Sequence, residues 1–302
     1  MSRSMPKPTN PTDRAEPPHA SRPAPQTRPA DLAGLIDELT RSGARLDATL
    51  SELGDAEVRA PSRLPGWNRG QVLAHVACSA EAYTWLLAVA RNGVGPGPRL
   101  GREALARAVA EAAVRPADAL AAELRSALAR LVADARAMPA EAWDTRVTAL
   151  AGWAHPAWYT LYRCWRELET HHVDLDAGYR TAHWPAAYVT WALDGTLAAL
   201  AARDFPVARV EAVDLGRTWH VARSAGPAVA APGHVLLGWL SGRATDTTVV
   251  VTGAGPGGPS AGEPTAEGAA AGVAMPVGRL PVPPVWPLPP APGWDDAGDP
   301  VA

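Results

Sequence analysis

The chain has 302 residues, 47% of them apolar, and its 28 basic and 31 acidic side chains leave a net charge of -3. That near balance excludes a protein whose main business is binding phosphate backbones, and at ~150 residues per domain the length points to two domains. No unbroken apolar stretch approaches the ~18 residues of a spanning helix, the leading segment lacks the apolar core of a secretory signal, and Cys78 and Cys164 are the only cysteines. The expectation is a soluble, cytoplasmic protein in a reducing compartment, with no nucleic-acid or membrane partner.

In chain order, residues 1–30 hold eight of the 31 prolines and read as a disordered tail. Leu32, Leu35, Ile36, Leu39, Leu46 and Leu50 then recur at helical spacing, the stripe of an amphipathic helix. Pro61 and Pro65-Gly66 break the segment that follows. A second helix is predicted over 69–92, with Val72, Leu73, Val76, Ala80, Leu86 and Leu87 inward and Gly93 as its stop. A third is predicted over 116–138, opened by Pro116, a fourth over 156–175 and a fifth over 185–203. Long helices joined by loops are the parts of an up-down bundle, whose core can hold a metal between facing helices. Near residue 205 the pattern shifts: ARVEAVDLGRTWHVARS and TDTTVVVTG suit strands of a small sheet, with a helix at PGHVLLGWL between them. The stretch 254–278 is low-complexity Gly/Ala/Pro and reads as a floppy insertion before a Pro-rich tail.

The densest group of ligand-type side chains lies in the fourth helix, from Arg163 to Asp174. Glu167 and His171, at i and i+4, share one face one turn apart, whereas Glu169 and His172 project at other angles. A third ligand must come from a neighbouring helix, and His75, set in the apolar run Val72-Leu73-Ala74-His75-Val76-Ala77, is the candidate. A two-histidine, one-carboxylate set with open positions is a Lewis-acid site for Zn2+ or another divalent metal. The alternatives are an ordinary i, i+4 contact and a packed core histidine. Cys78 and Cys164 lie within a turn of these residues, as cavity thiols or as core filler. Trp153, Trp158, Trp165, Trp184 and Trp191 are expected mostly in the core.

The run Pro61-Ser62-Arg63-Leu64-Pro65-Gly66-Trp67-Asn68-Arg69-Gly70-Gln71-Val72-Leu73-Ala74-His75-Val76 and the block Arg166-Glu167-Leu168-Glu169-Thr170-His171-His172-Val173-Asp174-Leu175 resemble the two signature blocks of the mycothiol-dependent maleylpyruvate isomerase family, part of the DinB-like superfamily. Gly238-Trp239-Leu240-Ser241-Gly242-Arg243 is similar to a third, C-terminal block. The resemblance spans about 31–253 and omits the Pro-rich head and the 254–278 stretch. It implies a mainly α protein: an N-terminal up-down four-helix (DinB-like) metal-binding domain at 31–204, then a small α+β sterol-carrier-like domain at 205–302. It implies His75, Glu167 and His171 as metal ligands, and Arg243 as an arginine that clamps a substrate carboxylate. It also implies mycothiol as co-substrate, whose metal-stabilised thiolate adds to a small electrophilic acid and is expelled after cis-trans rotation. A mycothiol S-transferase, a metal hydrolase and a non-enzymatic metal- or ligand-binding module remain alternatives.

Overall fold

Asp31 starts the first helix: its carboxylate accepts a hydrogen bond from the Gly34 amide at 2.7 Å, satisfying one of the free donors of the first turn. The computed structural model describes residues 28–221, 226–244, 248–252 and 272–284. The expected tail at 1–30 therefore lies almost wholly, and the 254–278 stretch largely, outside the described residues. Helix α1 (Leu32–Leu50) buries the predicted Leu35, Ile36, Leu39, Leu46 and Leu50. After the short α2 (Asp55–Arg59) comes α3 (Arg69–Asn92). Asn68 and Gln71 cap its start reciprocally, at 2.9 and 3.0 Å, and Gly93, in the left-handed region at φ 76°, ends it. Then follow α4 (Arg102–Glu111) and α5 (Ala117–Arg136), with Pro116 just ahead of α5. The strands β1 (Arg146–Thr148) and β2 (Ala154–Pro156) form a hairpin that leads into α6 (Tyr159–Asp174) and, after a 3-10 turn at Thr181–His183, α7 (Ala186–Ala201).

Four long helices close a ring of contacts: α1 touches α5 and α6, and α3 touches the same two. Their leucines, Leu46, Leu73, Leu124, Leu131 and Leu161 among them, form the centre of the core. By length and composition α3 is apolar enough to cross a membrane. Its apolar sides are instead taken up by α5, α6 and α4, the usual explanation of a helix that is apolar nearly all round.

Beyond α7, β3 (Arg209–Ala212), β4 (Arg217–His220), β5 (Ala228–Ala231), α8 (Gly233–Leu240), β6 (Thr248–Thr252) and β7 (Val273–Pro276) complete the described fold. The sheet order is β4-β3-β5-β6-β7, parallel only between β3 and β5, where Val210 stands opposite Val229. Val210, Val229, Val249 and Val251 are buried at alternate strand positions. Helix α8 packs on β3 and β5, on α7, and on the 3-10 turn that follows α6. One expectation is corrected: the end of the 254–278 stretch is an edge strand, Val249 pairing with Met275 and Val251 with Val273. Backbone hydrogen bonds to β6 supply the order that a Gly/Ala/Pro-rich composition conceals.

Candidate metal centre

Because α3 and α6 are adjacent in the ring, the inward faces of the two helices meet, and His75 from α3 arrives opposite Glu167 and His171 from α6. One nitrogen from each imidazole and one carboxylate oxygen lie within 4.8 Å of one another. Glu167 Oε2 is 3.2 Å from His75 Nε2 and 3.1 Å from His171 Nε2. Donors bound at ~2.0–2.1 Å to a tetrahedral ion stand about 3.3 Å apart, so two of these separations fit a zinc-sized cation. His171 and Glu167 are 14% and 16% exposed and His75 36%, which leaves the group walled by protein and open on the α3 side.

The neighbours hold each donor in position. Tyr83, two turns along α3 from His75, donates to the other Glu167 oxygen at 3.3 Å, turning Oε2 toward the imidazoles. His171 Nδ1 donates to Asp174 Oδ2 at 2.9 Å, which leaves Nε2 facing Glu167. Such carboxylate–histidine pairs fix the ring and its tautomer in metal centres. Asp174 is in turn gripped by Arg243, whose Nε and Nη2 donate to its two oxygens at 2.9 and 2.8 Å. Burial works against charge on Asp174, but the bonds and charges of His171 and Arg243 hold its carboxyl below its ordinary value. Glu167 lies well below the usual carboxylate range, because the bonds and charges of His171 and His75 outweigh its desolvation.

Arg243 meets a carboxylate of the protein itself. Its guanidinium forks onto the two Asp174 oxygens, Nη1 donates to the Ser241 carbonyl at 2.7 Å, and it is not among the side chains that line the neighbouring cavity. It stands behind His171. The placement comes from the turn after α8, where Gly242 at φ 71° lets the Arg243 amide return to the Gly238 carbonyl at 2.7 Å. A Cβ at Gly238 would run into Ala244 and press on Thr181, so glycine lets the turn sit against the 3-10 segment that follows α6.

Glu169 and His172 occupy the opposite side of α6, as their angles predict. Glu169 accepts from Ser42, Arg45 and Tyr179, and His172 pairs with Thr49 at 2.7 Å and stacks on Tyr179. Trp158, Trp165 and Trp184 are core residues. Trp67 borders the metal group, its indole meeting the His75 ring edge-on at 5.7 Å. Cys164 is buried and lines an apolar groove between α1 and α5, whereas Cys78 lines the metal-side cavity. Burial pushes both thiols up, so neither supplies a thiolate near neutral pH. Asp174, three residues after His171, and Arg163, four before Glu167, share that face by spacing and stand inside the cluster read from the sequence without an assigned role, whereas Tyr83 and Arg99 carry no such signal.

The pH dependence of metal uptake follows from His171. Burial opposes charge on this ring, yet its bonds to Asp174 and Glu167, and their charges, carry it up to about 9 in the metal-free protein. Charging of His171 therefore stabilises the metal-free fold fully below the ordinary value of 6.5, and that contribution fades as pH rises through about 9. A cation at Nε2 must displace this proton, so zinc affinity is expected to rise by about tenfold per pH unit between those limits. Competition against a chromophoric chelator checks this. An affinity that stays flat across the window contradicts it.

Residues 39–176, which include all three donors and Asp174, match the family model of the mycothiol maleylpyruvate isomerase N-terminal domain. Two solved structures, of the mycothiol-dependent maleylpyruvate isomerase and of a histidine-to-alanine variant of it, each superpose with a TM-score of 0.66 at 22% identity, covering 84% of this chain and 97% of theirs. No curated protein matches. With both signature blocks inside the matched region, residues 39–176 are an N-terminal domain of the mycothiol maleylpyruvate isomerase type, and the fold of the solved isomerase is shared over most of the chain.

Proposed function

We propose that the protein is a zinc-dependent enzyme that uses mycothiol to act on a small electrophilic carboxylic acid, by cis-trans isomerisation of the maleylpyruvate type. The observation that carries this reading is the convergence of His75, Glu167 and His171 beside an open cavity of about 540 Å³. His75, Glu167 and His171 would hold the ion. A divalent cation bound there supplies Lewis-acid chemistry, keeping a thiol sulfur in its thiolate form near neutral pH.

The remaining roles belong to the chain's own residues. Tyr83 and Asp174 orient the donors, Arg243 positions Asp174, and Trp67 covers one side of His75. Cys78 stays protonated, in keeping with a nucleophile that comes from solution. In the isomerisation, the thiol sulfur bonds to one alkene carbon and the double-bond electrons pass into an enolate. The new single bond then rotates, and the enolate expels the sulfur as it restores the alkene. Release of the adduct instead would make the protein a mycothiol S-transferase.

The four-helix ring is read as the DinB-like bundle, domains divide near residue 205, and the sheet with α8 is read as sterol-carrier-like. Turnover of maleylpyruvate by zinc-loaded protein, absent without mycothiol and absent after chelation, is the expected result. Equal rates with and without thiol would favour a hydrolase, and no turnover above the chelated control would overturn the isomerase reading.

A further inference from the structure

The metal-side cavity has a second chemical feature that the donor group does not use. Its wall includes Arg163, one helical turn before Glu167 on α6, and Arg99 from the connection between α3 and α4. Among the described residues neither guanidinium has a carboxylate within ion-pair distance, and the one acid lining this cavity is Glu167, already committed to the histidines.

Both arginines are held instead by neutral groups. Arg163 Nη1 donates to His155 Nε2 at 3.0 Å, and its guanidinium lies over the rings of Tyr83 and Trp153 at 5.0 and 4.9 Å. His155 is fully buried, donates from Nδ1 to the Pro156 carbonyl, and is driven down to about 3 by burial and by Arg163, so it accepts as a neutral ring. Arg163 Nε is buried and has no hydrogen-bond partner among the described residues. Arg99 donates from Nη1 to the Thr148 carbonyl at 2.8 Å and lies over Trp85. Burial and the charge of Arg163 both act against its own charge.

Two partly buried cations that repel each other, with acceptors that carry no charge, are costly in a closed protein. Their fork-shaped donors match a carboxylate, and an incoming anion removes the repulsion. We propose that Arg163 and Arg99 form the carboxylate-binding subsite of this cavity, seating the acid end of the electrophile so that its reactive carbons face His75 and Glu167. The identity of that anion as the electrophile rests on the function proposed above. Anion recognition then falls to the α3–α4 connection and α6, braced by the hairpin, while Arg243 acts on Asp174. The aromatic rings beneath each guanidinium preserve its orientation when the cavity is empty of acid.

Calorimetric titration of the metal-free, full-length protein with succinate, and with the uncharged succinamide, in low-chloride buffer tests this. Wild type is expected to bind succinate and not succinamide. A charge-assisted bond contributes ~1.5–3 kcal/mol, so Arg163→Met and Arg99→Met should each weaken succinate by about 10- to 100-fold. Arg99 lies outside the helices, so its variant stands if Arg163→Met fails to fold. Zinc stoichiometry should be unchanged in both. Unaltered succinate affinity in the two variants, or equal affinity of wild type for succinate and succinamide, or no saturable binding of either, overturns the subsite. Loss of succinate binding in the variants beside a wild type that shows no thiol-dependent turnover would keep the subsite and remove the isomerase reading.

Discussion

Glu167→Gln is expected to abolish stoichiometric zinc. Oε2 of Glu167 is the atom shared by both histidines, at 3.2 and 3.1 Å, and it is the single negative charge in the donor set. Removing that charge leaves two neutral nitrogens, and the amide introduces donors that face a cation. Residues that merely orient ligands alter metal affinity by about 10- to 100-fold, so losing a ligand should exceed 100-fold. The loss is read as metal content after dialysis and as a competition constant against a chelator. Thiol-dependent turnover should fall with it to the chelated control. A variant that retains one zinc per chain at wild-type affinity would show that the ion, if any, binds elsewhere.

Arg243→Met is expected to destabilise the metal-free protein by up to about 3–5 kcal/mol, because it removes one of the two cationic partners of a buried carboxylate and leaves it to His171. Asp174 is 1% exposed and Arg243 13%, and the pair is bidentate. A surface bridge of similar geometry contributes only ~0–1 kcal/mol, so urea unfolding separates the cases cleanly. Asp174→Asn with Arg243→Met should cost less than the sum of the two changes, since the second removes a partner that the first has already neutralised. Lysine is a poor substitute here: a point charge cannot reach both oxygens at once. Through His171 the same variant should weaken zinc by about 10- to 100-fold. A loss below ~1 kcal/mol with unchanged zinc affinity would assign Arg243 to some task other than positioning.

The helices of the ring show how far local pattern carries. Capping residues and the Gly93 stop delimit α3 in the sequence, and the leucine stripe delimits α1, because both signals act within a turn or two of chain. The shorter pieces escaped that reading. Strand β5 is Ala-Val-Ala-Ala, which has no strand signature, and exists because β3 and β6 flank it with free hydrogen-bonding edges. The hairpin β1–β2 and helices α2 and α4 are likewise short elements that their neighbours hold in place.

At the site, the chain order already contained His75, Glu167 and His171, because a helical period places the last two on one face and an apolar run isolates the first. What no local rule contains is which partner meets which. That Arg243 closes on Asp174 rather than on the cavity, and that Arg163 and Arg99 share one wall without an acid between them, depends on contacts across 69 and 64 positions of sequence. Such pairings follow from how helices and sheet pack, since a side chain's charge is fixed by its chemistry but its counter-ion is chosen by the fold.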